Sequence, residues 1–312
     1  MQRVDFVITS EDDGGGGAGS HSGNMVRRTL EGVHMSLLGA HQRDNARTAL
    51  AVMEFLRRGG GQGADDCDGG EGWAVSDDDM RRGLEAAESP GCFETVVAPA
   101  SPAGGSGGGG GGDGDVHSGV QHFERPVPGG GGSLGCAVVA DGAHTKESAA
   151  AAMATLSEVF PGQPLAVVVA MASDKDHQGF LREVMAVRPV SVVLTQVPIA
   201  GGRERATPVE ALMVAWNAAA AAADEVAAAA SGERSGVGGE GSSTAAATPE
   251  KQAPWTTTVS VVHDLGEAIT LAAAAVRRGG GSGNEGGGVV CVTGSLNTVS
   301  KARAWAGERG YS

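Results

Sequence analysis

The chain has 312 residues, with 37 acidic and 23 basic side chains and a formal net charge of −14. That balance excludes the basic footprint needed for non-specific nucleic-acid binding, and it argues against an anionic membrane surface. No apolar run approaches the ~18 residues of a membrane span. Cys67, Cys92, Cys136 and Cys291 are too scattered for zinc pairs or a disulfide framework, so reduced thiols in an intracellular compartment are expected. Apolar residues make up 41 % of the chain and aromatics 4 %, so a core must rest on Val, Leu, Ala and Met. That composition fits an α/β protein.

The opening MQRVDFVITSEDD has no signal-peptide core and no transit-peptide character, and it reads as the interior of a longer protein. A lost targeting signal therefore stays open. Residues 33–38 (VHMSLL) predict a strand and 42–58 a helix, in which Ala46, Ala49, Leu50, Met53 and Leu56 recur at helical spacing. A second helix is expected over 77–87, with three Asp in its first turn where the helix dipole favours them. A short strand follows at 93–97. From about residue 135, strands are expected at 137–140, 165–170, 190–194, 257–262 and 289–293. Helices are expected at 145–160, 180–186, 208–222, 265–277 and 299–307. Five short apolar strands separated by helices predict a Rossmann-like, mostly parallel sheet covered on both faces. Stretches 14–23, 59–72, 101–133, 227–252 and 279–288 are rich in Gly, Ser, Ala or acidic residues and read as flexible insertions.

In such a sheet, ligands sit beyond the carboxyl ends of the strands. The residues there are Asp141-Gly142-Ala143-His144, then Ser173-Asp174-Lys175-Asp176-His177, then Thr195, and finally Thr293-Gly294-Ser295. Each alone is an ordinary helix cap or turn, since Asp, Ser, Thr and Gly favour such positions. Their convergence on one edge makes a candidate site.

VVADGAHTKESAAAAM followed by AVVVAMASDKDHQGF resembles the C-terminal domain of the Mur ligase superfamily. Its folylpolyglutamate synthase and dihydrofolate synthase branch fits best, and plant-type dihydrofolate synthase looks closest. VVCVTGSLNTVSKAR is similar to that family's last strand and turn, LLGAHQRDNARTAL to a helix late in its central ATPase domain, and GLEAAESPGCFETV to its hinge. The resemblance implies a remnant of the central domain and hinge over 1–99, a Gly-rich insertion over 100–134 and the C-terminal domain over 135–312. It also implies an ATP- and Mg²⁺-dependent ligase that adds L-glutamate to dihydropteroate or folate through an acyl phosphate. A monomer in the cytoplasm or a mitochondrion is implied as well. By position, Asp141 would bind ATP through the ribose, while His144 and Ser295 would face the incoming amino acid. His41 and Asn45 would lie near the nucleotide, with Lys175 and Asp176 in the substrate cleft.

Two departures from the family pattern stand out. Cys92 occupies the place of a hinge arginine, and a thiol lacks the planar fork of donors that grips phosphate. Arg81, Arg82 or Arg125 would have to substitute. No G-x-x-x-x-G-K-[ST] phosphate loop occurs anywhere in the chain. The expectation is a ligase part that is inactive alone, or a non-catalytic binding module of the same fold. A nicotinamide site is disfavoured, because the strand 137–140 leads into DGAH and not into a GxGxxG turn.

Overall fold

The computed structural model describes residues 1–12, 24–57, 74–98, 134–232, 256–279 and 287–311. The insertions expected at 14–23, 59–72 and 101–133 lie outside the described residues, as do most of 227–252 and 279–288. The chain divides into two compact units that meet in sequence between Pro90 and Gly91.

In the first unit, β1 (Gln2–Asp12) pairs antiparallel with β2 (Asn24–Met35). The opening segment, for which no element was expected, is therefore a strand. Phe6 and Ile8 point inward by strand alternation, while Asp5, Val7 and Thr9 point out. The helix α1 (Ala40–Arg57) buries Ala46 and Leu50 against this hairpin. Its buried stripe also contains Gln42 and Glu54, whereas Ala49 is exposed, so the expected apolar face is rotated. An ion-pair network explains the rotation. Glu54 is paired with Arg28 of β2 and, at 3.1 Å, with Arg57. Both arginines also reach Asp77, at 2.5 and 3.2 Å. Asp77 opens α2 (Asp77–Glu85), which is capped by Ser76 in a reciprocal box with Asp79. These Ser76 bonds hold the Asp79 carboxyl below the usual carboxylate range.

The second unit is a six-stranded sheet. Its strands are β3 (Glu94–Val97), β4 (Ala137–Asp141), β5 (Leu165–Val169), β6 (Ser191–Leu194), β7 (Thr258–Val261) and β8 (Val289–Thr293). They lie in the order β3-β4-β8-β5-β6-β7, and all pairs are parallel except β3–β4. The strand at 94–97, expected in the first block, belongs to this sheet because Val96 and Val97 are buried against it. Residue alternation sends Ala137, Val139, Val167 and Val169 to one face. There they meet α3 (Lys146–Val159), α4 (His177–Ala186) and α5 (Val209–Gly232). Val138, Ala140, Val290 and Val292 face α6 (Leu265–Gly279) and α7 (Leu296–Glu308). Strands buried on both sides need the near-continuous Val and Ala runs seen in the sequence. The α5 helix runs ten residues past its expected end at 222, so the stretch expected as a flexible insertion from 227 begins as helix.

β4 and β5 are consecutive along the chain but not neighbours in the sheet, because β8 returns between them. The helix after β8 packs on one face, and those after β4 and β5 pack on the other. In doubly wound sheets such a reversal marks the carboxyl ends of the central strands as the place where ligands bind.

Replacing Glu54 by Ala leaves Arg28 and Arg57 with Asp77 as their carboxylate partner and opens a small buried gap, at a cost of about 2 kcal/mol to the first unit. Urea unfolding read through hydrogen exchange of β1 and β2 amides checks this, with the second unit unaffected.

Candidate functional site

β4 ends at Asp141, whose carboxylate organises the edge. Its Oδ2 accepts the backbone N–H of Phe93 and its Oδ1 that of Ala143, each at 2.8 Å. Phe93 has φ 49°, a left-handed conformation unusual for an aromatic residue, and its bond to Asp141 holds it there. Gly142 donates to Gly91 O at 2.7 Å, so the turn before β3 is tied to the end of β4 twice.

His144 is half-buried, and its Nδ1 lies 2.9 Å from Gly142 O. A carbonyl can only accept, which assigns the proton to Nδ1 and leaves Nε2 of the neutral ring as an acceptor. The next residue, Thr145, caps α3 in a reciprocal box with Ser148.

β8 ends at Thr293 and turns at Gly294, which has φ 109°. Gly294 donates to Ala143 O at 3.0 Å, and a Cβ there would stand 2.4 Å from Ala170 O. Only glycine fits. Ser295 caps α7, accepting the Thr298 N–H at 3.1 Å, and its Oγ lies 2.7 Å from Thr298 Oγ1. Thr298 Oγ1 spends its own proton on Ala170 O at 3.0 Å, so the proton between the two hydroxyls comes from Ser295. The buried Ser295 hydroxyl is thereby committed to the cap.

After β5, residues 171–173 pair with 205–207: Ser173 donates to Arg205 O at 2.8 Å and Thr207 to Met171 O at 3.0 Å. Asp176 caps α4 by accepting the Gly179 N–H at 2.9 Å. Lys175 Nζ and Arg205 Nη2 lie 3.8 and 3.6 Å from Asp174 Oδ2. The Asp174 backbone N–H, followed by these two cations, holds its carboxyl below the usual range. His177 Nε2 donates to Ala172 O at 2.9 Å and lies 3.0 Å from Thr207 Oγ1.

Asp141, His144, Ser295, Lys175 and Asp176 thus follow three adjacent parallel strands and share one edge. His41 and Asn45 belong to the other unit, on α1, where exposed Asn45 donates to Gln42 Oε1 at 3.1 Å. Of the arginines that could replace the hinge residue, Arg82 is paired with Asp79 and Arg81 donates to Glu31 O at 2.6 Å. Arg125 lies outside the described residues. Arg205 and Thr207, which close the loop after β5, were not anticipated from sequence. They sit in a connection without periodicity, and only the antiparallel bridge brings them back. Among the described residues, no group of three or more His, Cys, Asp or Glu could hold a metal ion. A cavity of about 1110 Å³, lined by Phe160, Leu165 and Arg188, opens at the opposite, amino-terminal edge, away from these groups.

No protein-family model matches the chain, and no curated protein matches it. Solved structures do. A Mycobacterium tuberculosis folylpolyglutamate synthase complexed with ADP and AMPPCP is 24 % identical with TM-score 0.52, covering 89 % of this chain and 43 % of that one. The same enzyme complexed with ADP gives 24 % and 0.52, covering 96 % and 47 %. Escherichia coli FolC in complex with ADP, without folate substrate, gives 16 % and 0.50, covering 93 % and 46 %. The chain shares their Mur ligase-like fold. It spans less than half the length of these proteins.

Three measurements test the geometry. Gly294→Ala forces a Cβ onto Ala170 O and should destabilise the second unit by about 3 kcal/mol, read as a lower thermal midpoint. Burial pushes the Cys136 thiol up to about 11 against the pull of Arg277, and burial with the Asp141 charge pushes Cys291 well above its usual value. In a Cys67→Ser background, a thiol reagent at pH 8 should titrate exposed Cys92 only, until the protein is unfolded. Above pH 9 the unfolded thiols lose protons that the folded ones keep, so stability should fall as pH rises toward 11.

Proposed function

We propose that the chain supplies the C-terminal-domain side of an ATP-dependent folate ligase, a C–N ligase that joins L-glutamate to dihydropteroate or folate. The observation that carries this reading is the pair of acceptors at the β4 edge, Asp141 and the Nε2 of His144, in a fold shared with ADP-complexed folylpolyglutamate synthases. When bound, ATP supplies the phosphoryl group that activates the acid substrate as an acyl phosphate.

The residues of this chain do the binding and orienting. Asp141 accepts from the ribose hydroxyls while its backbone bonds hold the carboxylate in place. His144 Nε2 accepts a proton or a hydrogen bond from the amine side of the reaction. Lys175 and Arg205 surround Asp174 with positive charge, favourable for an anionic amino acid. Asp176 and Ser295 act through the helix starts they cap, which hold the edge in shape. His41 and Asn45 would contribute from the α1 side, as the family pattern implies. By the family resemblance, most phosphate and Mg²⁺ contacts would come from residues outside this chain, whose sequence contains no G-x-x-x-x-G-K-[ST].

A second reading, a non-catalytic module that keeps the nucleotide edge, is favoured by Cys92 at the hinge position. Both readings require ribose recognition, and the ligand can test it without altering the protein. Charge-assisted hydrogen bonds contribute about 1.5–3 kcal/mol each. Calorimetry should therefore give ADP at least ~10-fold tighter binding than 2′,3′-dideoxy-ADP. Equal affinities remove the role assigned to Asp141. Amide-bond formation upon adding a phosphate-loop polypeptide, with none by the chain alone, supports the ligase over the module.

A further inference from the structure

The cavity of about 1110 Å³ at the amino-terminal edge of the second unit has a chemistry of its own. The helices α3 and α4 end beside it, at Val159 and Ala186, next to the first residues of β5 and β8. Its size is at the upper end of small-molecule sites, roughly 300–1,000 Å³. Phe160, Leu165, Met185 and Val187 pack against the core on one side, stay only half-buried, and all line the cavity.

The wall also carries two opposite charges that are not engaged. Arg188 and Asp224 are exposed, and among the described residues neither side chain makes a hydrogen bond or an ion pair. Arg188 follows α4 with φ 52°, and its backbone N–H donates to Met185 O at 2.9 Å. That left-handed position suits glycine, which adopts it without strain. Among the described residues, the other non-glycine with positive φ is Phe93, which a bond to Asp141 holds. No bond of the Arg188 side chain offsets its strain, and strained residues of this kind gather at ligand clamps.

The helix ends add the other sign. Neither α3 nor α4 has a basic residue in its last turn, so the partial negative charge of their terminal carbonyls adds to that of Asp224. A purely anionic ligand would be repelled by these groups, and a purely cationic one by Arg188. A zwitterion with an apolar body matches the whole wall. We propose that this cavity binds a free α-amino acid with an aromatic side chain. Arg188 takes the carboxylate in a forked pair and Asp224 the ammonium. The ring lies among Phe160, Leu165, Val187 and the Met185 thioether, a favourable neighbour for an aromatic ring. The site is independent of the ligase reading, whose glutamate is placed at the opposite edge.

Titration of the labelled full chain with L-phenylalanine tests this through amide chemical shifts. Saturable changes at Gly162, Leu165 and Arg188 are expected, with none there from L-glutamate. Arg188→Gly should weaken L-phenylalanine at least tenfold and leave phenethylamine, which lacks the carboxylate, unchanged. Because glycine relieves the strain at φ 52°, that variant should melt no lower than the parent, so lost binding is not lost folding. Asp224→Asn should weaken L-phenylalanine at least tenfold and leave 3-phenylpropionate, which lacks the ammonium, unchanged. No shifts at the amino edge with millimolar L-phenylalanine overturn the proposal, as does undiminished binding by either variant. ADP binding at the carboxyl edge stands or falls separately from each of these results.

Discussion

The carboxyl edge of the sheet depends on one crowded junction of backbone. Gly294 crosses so close to Ala170 that no side chain fits, while its N–H is bonded to Ala143 O and Thr298 bonds Ala170 O from the next helix. Ends of β4, β8 and β5 are joined there within hydrogen-bond distance. Because β8 arrives last along the chain and enters between strands laid down earlier, this junction forms only when the whole second unit is assembled. The position of Asp141 relative to its neighbours is therefore a property of the complete sheet.

Hydrogen bonding at that point holds short polar side chains in fixed orientations. Asp141 is oriented by two backbone N–H groups, and His144 has its tautomer set by Gly142 O. Neither group needs to reorganise to meet a ligand, and preorganised polar groups are worth more than mobile ones. Ser295 differs. Its hydroxyl is consumed by Thr298, which makes it a structural cap at an edge where a chemical role was expected.

Much of the second unit was legible in the sequence because most of its parallel strands are short Val-rich runs bounded by turn residues, a pattern that survives reading one segment at a time. The strand 289–293 has the expected bounds, and α3 falls within a residue of them at each end. Three features were not legible. β3 carries only two buried residues, and nothing local says which sheet receives them. α1 turns a glutamate inward because two arginines far along the chain meet it, which periodicity of apolar residues cannot register. Arg205 reaches the loop after β5 through a single antiparallel bridge. By contrast, the alternation of Val4, Phe6 and Ile8 in β1 was present in the sequence, hidden only by the polar residues around it.

The proposed function puts a nucleotide at the β4–β8 end of the sheet. Amide chemical shifts of the labelled full chain, followed during titration with ADP, test it most directly. Changes concentrated at Phe93, Gly142, Ala143, His144 and Gly294 are the predicted result. Changes gathered instead around Gly162, Leu165 and Arg188 at the opposite edge, or none at millimolar ADP, would contradict it.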